Sequence, residues 1–269
     1  MSNRVTGHIA NDWLRGLQTR ADQPPLRARE PLFAANGDAA FGTVEPALAQ
    51  RLVDAGLPIE SWSGGWRLIG TAANAALASL ADGLRAMGAA GAWRNELLSV
   101  VDERGASVGA IERAAVRPLG ITTQAVHLVG WAEQGGVWVQ QRAFDKATDP
   151  GMWDTLMGGL VSADETIADT LVRETWEEAG LHIEQLRDVA AHGTLTVRRP
   201  VGSGYMIEHI HVYDATLPAG LAPQNQDGEV ASFECLSVDD LTHRLLDEAF
   251  TLEAALILAS RLRSRGVAI

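Results

Sequence analysis

The sequence predicts an α/β (α+β) protein in which a mixed β-sheet is sandwiched by helices, with an additional N-terminal α/β domain. Three observations predict this class. Strand-like and helical periodicities alternate along the 269 residues, a Gly-Gly turn joins two strand-like runs, and two helical segments close the chain. This order of strands, helix, strands and helices is typical of helices packed on the faces of a mixed sheet.

The N-terminal part, residues 1–116, is predicted to be an accessory α/β domain. The segments "EPALAQRLVDAG" and "NAALASLADGLRAMGAAG" carry apolar residues at helical spacing. Between them, "IESWSGGWRLIG" is typical of a turn that enters a short strand. The segment "LLSVVDERGASVGAIER" predicts two strands around an Arg-Gly turn.

The second part, residues 117–269, begins with "RPLGITTQ", which is expected to join the two domains. The run "AVHLVGWAEQGGVWVQQRA" predicts a hairpin, and "FDKATDPGMWDTLMGG" predicts a loop. A helix follows over 166–179, and "GYMIEHIHVYDATL" and "EVASFECLSV" predict strands. Two closing helices follow, the first of them capped by Ser237 and Asp240.

Composition and charge exclude several classes of protein. Hydrophobic residues make up 46% and charged residues 21%, as in ordinary soluble domains. The formal charge of −12 argues against a broad nucleic-acid surface, and no apolar run approaches the ~20 residues that span a bilayer. A single cysteine, Cys235, and an N-terminus without a signal-peptide core predict a cytoplasmic protein with no membrane partner.

The densest cluster of charge lies in "GGLVSADETIADTLVRETWEEAGL", residues 158–181. On a helix, Glu174, Glu177 and Glu178 fall within an arc of about 100°. Two like charges ~6 Å apart repel by roughly 3 kcal/mol at an effective dielectric near 20, and by less when fully solvated. A hard divalent cation such as Mg²⁺ or Mn²⁺ would relieve this repulsion, because it prefers carboxylate ligands. The alternative is a solvated acidic helix face.

The spacing of this segment resembles the Nudix box, G-x5-E-x7-R-E-U-x-E-E-x-G-U, in which U is a bulky aliphatic residue. The matching residues are Gly159, Glu165, Arg173, Glu174, Glu177, Glu178, Gly180 and Leu181. One position departs from the pattern, because Thr175 replaces the first aliphatic residue. Thr175 is expected to point into the core, where its methyl group can still pack.

The resemblance implies a Nudix fold and the hydrolysis of a diphosphate linkage joined to some other group. It implies that Mg²⁺ or Mn²⁺ is bound by Glu174, Glu177 and Glu178 with the carbonyl of Gly159. The general base would be Glu174, Glu178 or Glu229, and the choice among them stays open. Arg173 and Glu165 would brace the loop and the helix.

Three further residues are candidates for substrate binding. Arg142 and Lys146 lie in the loop before the box and would grip phosphate, unless they are an ordinary surface pair. Trp153 would stack on a flat ring, unless it belongs to the core.

Glu229 follows Asp227-Gly228 and would complete the metal site, unless this segment is a plain turn.

Residues 90–245 resemble a Nudix subgroup related to thiamine pyrophosphokinase, whose members carry an additional N-terminal domain. The resemblance lies in "WRNELLSVVDERG", "IERAAVRPLGI" and "QDGEVASFECLSVDDL", among other segments. It implies that thiamine diphosphate or its oxidised analogues are cut to the monophosphate. The alternatives are a nucleoside diphosphate derivative, such as ADP-ribose, a sugar nucleotide or a dinucleotide, or a non-catalytic binding module. A small-molecule diphosphate is the expected partner, and a homodimer is left open.

Overall fold

The computed structural model describes residues 2–267, with side chains described from Asp12 onward. Its N-terminal part contains the elements α1 (Ser2–Ala21), β1 (Glu30–Phe33), β2 (Ala40–Val44), α2 (Pro46–Asp54), β3 (Ile59–Trp62), β4 (Gly65–Leu68), α3 (Ala73–Ala86), β5 (Leu97–Val101), β6 (Ser107–Glu112) and α4 (Arg113–Val116). Strands β1–β4 form a sheet in the order β2-β1-β4-β3, and β5 pairs with β6.

Both helices predicted in this part, α2 and α3, are confirmed, as is the hairpin of β5 and β6. The segment "IESWSGGWRLIG" differs from its prediction, because it forms two antiparallel strands, β3 and β4. Gly64, at φ +86°, makes the tight turn between them. A turn was expected there, but the strand on its N-terminal side was not.

The C-terminal part contains β7 (Thr122–Ala132), β8 (Val137–Arg142), β9 (Trp153–Asp154), β10 (Met157–Leu160), α5 (Ile167–Ala179), a short 3₁₀ helix (Ile183–Gln185), β11 (Arg187–Val201), β12 (Gly204–Leu217), β13 (Val230–Leu236), α6 (Val238–Leu246) and α7 (Leu252–Ser264). Its sheet runs β11-β12-β7-β8-β13, with β10 paired to β7 and β9 paired to β8. The predicted hairpin, strands and closing helices are confirmed, whereas the predicted loop before the box contains β9 and β10.

Strand β7 is the centre of this sheet and positions the cleft described below. It is buried along most of its length, as expected of an apolar strand covered on both faces. It runs parallel to β12, with Thr123 opposite Glu208. It runs antiparallel to β10, with His127 opposite Gly158. Because β8 pairs with β7 only at Gly130–Trp131, the sheet splits between β8 and β10.

Helix α5 begins and ends at residues suited to those positions. The Thr166 side chain accepts a hydrogen bond from the Asp169 amide, and the Asp169 carboxylate accepts one from the Thr166 amide. Gly180 ends the helix in the left-handed conformation, at φ +62°. Thr175 is fully buried, and its hydroxyl donates to the Leu171 carbonyl at 2.6 Å. The departure from the box is therefore accommodated inside the core.

Three apolar cores hold the molecule together. One lies between the N-terminal sheet and helices α2 and α3, a second lies under α7, and a third lies under α5. Helix α1 packs on α7 and β11, and its Leu17 and Ala21 are buried in the second core. The division of the chain at residue 116 stays a prediction, and α1 packs beyond it. Within residues 2–267, no helix is long and apolar enough to cross a membrane.

Candidate active site

A cleft of about 1110 Å³ runs between the two parts of the chain. We call one end of it the glutamate end, which consists of Gly158, Gly159, Glu174, Glu177 and Glu178. We call the opposite end the distal end, which consists of Arg117, Thr123, Arg199, Met206 and Glu208. Alternate residues of β7, namely Thr123, Ala125 and His127, line the floor from one end to the other.

Glu178 is the most deeply buried carboxylate of the glutamate end, with only 2% of its surface exposed. Its Oε2 accepts hydrogen bonds from the Gly158 amide at 2.9 Å and from the Gln140 side-chain amide at 2.8 Å. Burial, together with the negative charge of Glu174, raises the pKa of Glu178 to about 8. These bonds fix the carboxylate against β10, while its charge is poorly compensated.

Glu174 lies directly against Gly159. A Cβ atom on residue 159 would come within 1.9 Å of Glu174 Oε1, so this approach requires glycine. Burial raises the pKa of Glu174 to about 7, although the nearby Arg173 charge acts in the opposite direction. The glycine and glutamate of the box are therefore matched in shape as well as in spacing.

Arg173 links Glu165 to the other glutamates. Its Nε and Nη2 donate to the two oxygens of Glu165 at 2.6 and 2.8 Å. Its Nη1 donates to Glu174 at 2.8 Å and to Glu177 at 2.9 Å. The predicted bracing by Arg173 and Glu165 is consistent with this geometry. The sequence argument missed the second role, in which the same guanidinium compensates the charge of Glu174 and Glu177.

The chemistry of this end fits a hard divalent cation, because it offers carboxylate oxygens and the Gly159 carbonyl. The buried, poorly compensated carboxylates of Glu174 and Glu178 support the same conclusion. However, no three His, Cys, Asp or Glu side chains among the described residues converge in a metal-binding arrangement. In this structure Arg173 Nη1 donates to both Glu174 and Glu177.

Lys146 and Glu229 meet across the mouth of the cleft. The Lys146 ammonium forms an ion pair with Glu229, and both residues line the cleft. Burial acts to raise the pKa of Glu229, but the hydrogen bond and charge of Lys146 hold it below its usual range. The pKa of the neighbouring Asp227 is raised, mainly because the side chain is partly buried. Glu229 is thus held as a carboxylate close to the box.

The structure places the other two predicted substrate contacts differently. Arg142 lines the cleft, but it braces the loop, since Nη2 donates to the Thr148 carbonyl at 3.1 Å and Nη1 lies 3.4 Å from Asp154. Trp153 is not among the described residues that line the cleft, so of the two positions that the sequence allowed, the core position is the one observed. Successive strand residues face opposite ways, so Asp154 faces the cleft while Trp153 packs on the core beneath Arg244.

Sequence reasoning missed several residues that shape the site. Gln140 is 1% exposed and donates to Glu178, and His127 lies so close to Gly158 that a Cβ there would meet its ring at 2.4 Å. Glu112, 5% exposed, accepts hydrogen bonds from the amides of Arg94 and Glu96 and so fixes one wall of the cleft. A glutamine or histidine inside an apolar strand is the only signal that the sequence offers for such residues.

Comparisons with known proteins agree with the box. The NUDIX domain profile matches residues 122–256, half of the chain. The chain is 34% identical over 149 residues to Nudix hydrolase 20, chloroplastic, of Arabidopsis thaliana. This match covers 54% of the present chain but only 40% of the plant protein. It is 29% identical over 158 residues to the isopentenyl-diphosphate Delta-isomerase of Streptomyces coelicolor, covering 58% of this chain and 78% of the isomerase.

Among solved structures, DR0079 from Deinococcus radiodurans superposes with a TM-score of 0.50 at 22% identity. The match covers 62% of this chain and 98% of that one, and it supports the fold alone. The fold expected from the sequence is therefore confirmed, with the additional α/β region before it. From the profile match and the geometry of the box, the chain belongs to the Nudix family.

Proposed function

We propose that this protein is a divalent-metal-dependent hydrolase of organic diphosphates. The observation that carries the proposal is the pair of buried carboxylates, Glu174 and Glu178, held against Gly159 and Gly158 at one end of a large cleft. Carboxylates in that position cost stability unless a cation compensates them, because burial disfavours their charged form. Such unfavourable burial is typical of functional sites.

Glu174, Glu177 and Glu178, with the carbonyl of Gly159, would hold Mg²⁺ or Mn²⁺. When bound, the ion supplies charge neutralisation for the diphosphate and a lowered pKa for an attached water. Arg173 has to give up its bonds to Glu174 and Glu177 for these carboxylates to converge. It keeps its two bonds to Glu165, so the helix and the preceding loop stay braced.

Lys146 and Glu229 have complementary tasks in this proposal. Lys146 exchanges its bond with Glu229 for a phosphate oxygen of the arriving substrate. Glu229 is then a free carboxylate beside the reacting group and accepts the proton of the attacking water. Glu174 and Glu178 are the other candidates for this base. Arg142 is the weaker candidate for phosphate binding, because its Nη2 already bonds to Thr148.

Thiamine diphosphate and its oxidised analogues are the leading substrates, because residues 90–245 resemble the thiamine-related subgroup. A nucleoside diphosphate derivative is the second candidate, and a non-catalytic module is the third. The retention of Glu165, Glu174, Glu177 and Glu178 supports catalysis over the module. Since the chain spans 40% of the plant relative, the activity of that whole protein is not carried over.

A substrate panel tests this function. Thiamine diphosphate, oxythiamine diphosphate, ADP-ribose, a sugar nucleotide and isopentenyl diphosphate are each incubated with the protein and Mg²⁺ or Mn²⁺, and products are identified by mass. Cleavage of the diphosphate in any compound, abolished by EDTA, supports the proposal. Turnover of isopentenyl diphosphate to an isomer, or no turnover of any compound, contradicts it. Cleavage of nucleotides alone removes thiamine diphosphate as the leading substrate.

A further inference from the structure

Two charged groups of the distal end are Arg117 and Glu208. The nearest polar contact of Arg117 is the Met206 sulfur, 3.8 Å from Nη2. Glu208 accepts a hydrogen bond from the Thr123 hydroxyl at 3.1 Å. Over the residues with described side chains, neither group has an opposite charge within 4.0 Å. Burial lowers the pKa of Arg117 and raises that of Glu208, so both groups are partly removed from water.

Two other arginines that line the same cleft are paired, unlike Arg117. Arg113 lies 2.7 Å from Glu96, and Arg199 lies 3.3 Å from Glu253. A partly desolvated charge without a partner costs free energy, and its cost disappears when a ligand supplies the missing hydrogen bond. Arg117 and Glu208 are therefore the groups of the distal end that a ligand would satisfy most favourably.

Strand β7 sets the distance between these groups and the glutamate end. Thr123 and His127 lie on the same face, four residues apart, which corresponds to about 13 Å at ~3.3 Å per residue. His127 is paired with Gly158, whose amide binds Glu178. Thr123 is paired with Glu208. The floor thus has room for a diphosphate at one end and a ring system at the other.

Apolar side chains lie among the charged groups of the distal end. Ile121 and Met206, exposed by 1% and 5%, line the cleft together with Ala125 and Val116. Apolar surface beside a few polar groups is typical of sites that bind the flat, organic part of a ligand. A second phosphate suits the distal end poorly, because Glu208 lies there and would repel it.

We propose that the distal end binds the organic part of the substrate, and that this part is a flat nitrogen heterocycle with an amino group. The amino group donates to Glu208, and a ring nitrogen or carbonyl oxygen accepts from Arg117. This proposal rests on the proposed function only in placing the diphosphate at the glutamate end. An aminopyrimidine, as in thiamine, and an adenine base share this chemistry.

The test uses the metal-free protein and ligands without phosphate, so it requires neither catalysis nor the metal site. Dissociation constants for thiamine, oxythiamine, adenosine and inosine are measured by NMR titration. The second member of each pair carries an oxo group where the first has its amino group. At least one amino compound is expected to bind, and its oxo counterpart about tenfold more weakly, since Glu208 then loses its donor. Among the thiamine compounds, the proposal therefore favours the amino form over its oxo analogue.

Two variants locate the binding. Glu208→Gln and Arg117→Gln are each expected to weaken the bound amino compound about tenfold or more. The exposed Glu60→Gln and Arg51→Gln serve as controls with the same changes of charge. Circular dichroism checks that each variant is folded, and if one distal variant unfolds, the other carries the test alone.

Each possible outcome of these titrations either supports or overturns the proposal. Selective binding of thiamine identifies an aminopyrimidine site, selective binding of adenosine identifies an adenine site, and either supports the proposal. The proposal is overturned if no compound binds, if the oxo compounds bind equally well, or if the distal variants behave like the controls. Failure of hydrolysis in the substrate panel would leave these binding results intact, so the two proposals fail separately.

Discussion

The two ends of the cleft handle charge in opposite ways. At the glutamate end, Arg173 compensates Glu174 and Glu177 from within the same helix. At the distal end, Arg117 and Glu208 come from separate parts of the chain and have no such partner among the described side chains. Charge compensation at the glutamate end is therefore local and partial, because Arg173 reaches Glu174 and Glu177 but leaves Glu178 poorly compensated. At the distal end, where we propose that the organic part of the substrate binds, no described side chain of opposite charge lies within 4.0 Å of either group.

The strongest test of the glutamate end is Glu178→Gln. This change keeps the shape of the side chain and an acceptor for the Gly158 amide, but removes the charge that would bind the metal. We expect hydrolysis to fall by about 100- to 1000-fold, which is typical of losing one electrostatic group in a site. The melting temperature of the metal-free protein should stay close to that of the parent.

The matched control is Glu184→Gln, which removes an exposed carboxylate just beyond helix α5. It should leave both hydrolysis and melting temperature unchanged. Equal rates for Glu178→Gln and the parent protein would remove Glu178 from the metal site, and with it the distinction between the two ends.

Gly159→Ala addresses the shape of the same end. The new Cβ would overlap Glu174 Oε1, and the flexible carboxylate must rotate away while the backbone stays in place. We expect the apparent affinity for Mg²⁺ to fall by about 10- to 100-fold, as for other disturbances of metal-ligand orientation. Mg²⁺ titration of activity measures this. Gly16→Ala, in a helix with no atoms near the added methyl, is the control, and an equal effect there would refute the explanation.

Arg173→Met separates bracing from charge compensation. It removes two bonds to Glu165 and leaves Glu174 and Glu177 uncompensated, so the free energy of unfolding should fall by about 1–3 kcal/mol. Mg²⁺ should restore part of this loss, because it compensates the same carboxylates. Urea denaturation with and without Mg²⁺ provides both values.

Arg187→Met is the comparison, because Arg187 pairs with Glu133 at an exposed position. Its loss should cost under about 1 kcal/mol and should not respond to Mg²⁺. A similar response to Mg²⁺ in both variants would mean that Arg173 is an ordinary brace.

The smallest expected effect is at the distal end, in Thr123→Val. The substitution removes a hydroxyl that lies within hydrogen-bond distance of Glu208 at 3.1 Å and of the Ile207 carbonyl at 3.3 Å. The charge of Glu208 remains and only its orientation is disturbed, which should cost about 1 kcal/mol, so KM for the organic diphosphate should change by about fivefold, with kcat unaffected. Steady-state kinetics on the substrate that the panel identifies separates these constants. A change confined to kcat would place Thr123 in the chemistry instead of in recognition.

The same contrast explains how much the sequence could predict. Helix α5 and the register of its glutamates were predictable because they depend on spacing within one segment, on the Thr166 cap and on Gly180. Their pairing with Arg173 required side-chain directions that a helical projection leaves undetermined. Arg117 and Glu208 line the same end of the cleft although they are far apart in the sequence, so local patterns carried no information about them.

The misplaced or missed strands have related causes. Strand β10 includes Gly158 and Gly159, which lack the side chains that would show an alternating pattern. The first half of strand β11 is exposed at the sheet edge, so its apolar face is confined to Leu195, Val197 and Val201 in the second half. Trp153 is close in sequence to residues of the site. Side chains alternate along β9, however, so its ring lies on the face opposite to the cleft.

The packing of α1 on α7 has a consequence for dissecting the protein. A fragment starting at residue 117 would retain every glutamate of the box and still uncover the apolar side of α7 where Leu17 and Ala21 now rest. It would also lose Asp22, the ionic partner of Arg198 on the edge strand. We therefore expect the shortest stably folded fragment to begin well before residue 117, although all glutamates of the box lie after it.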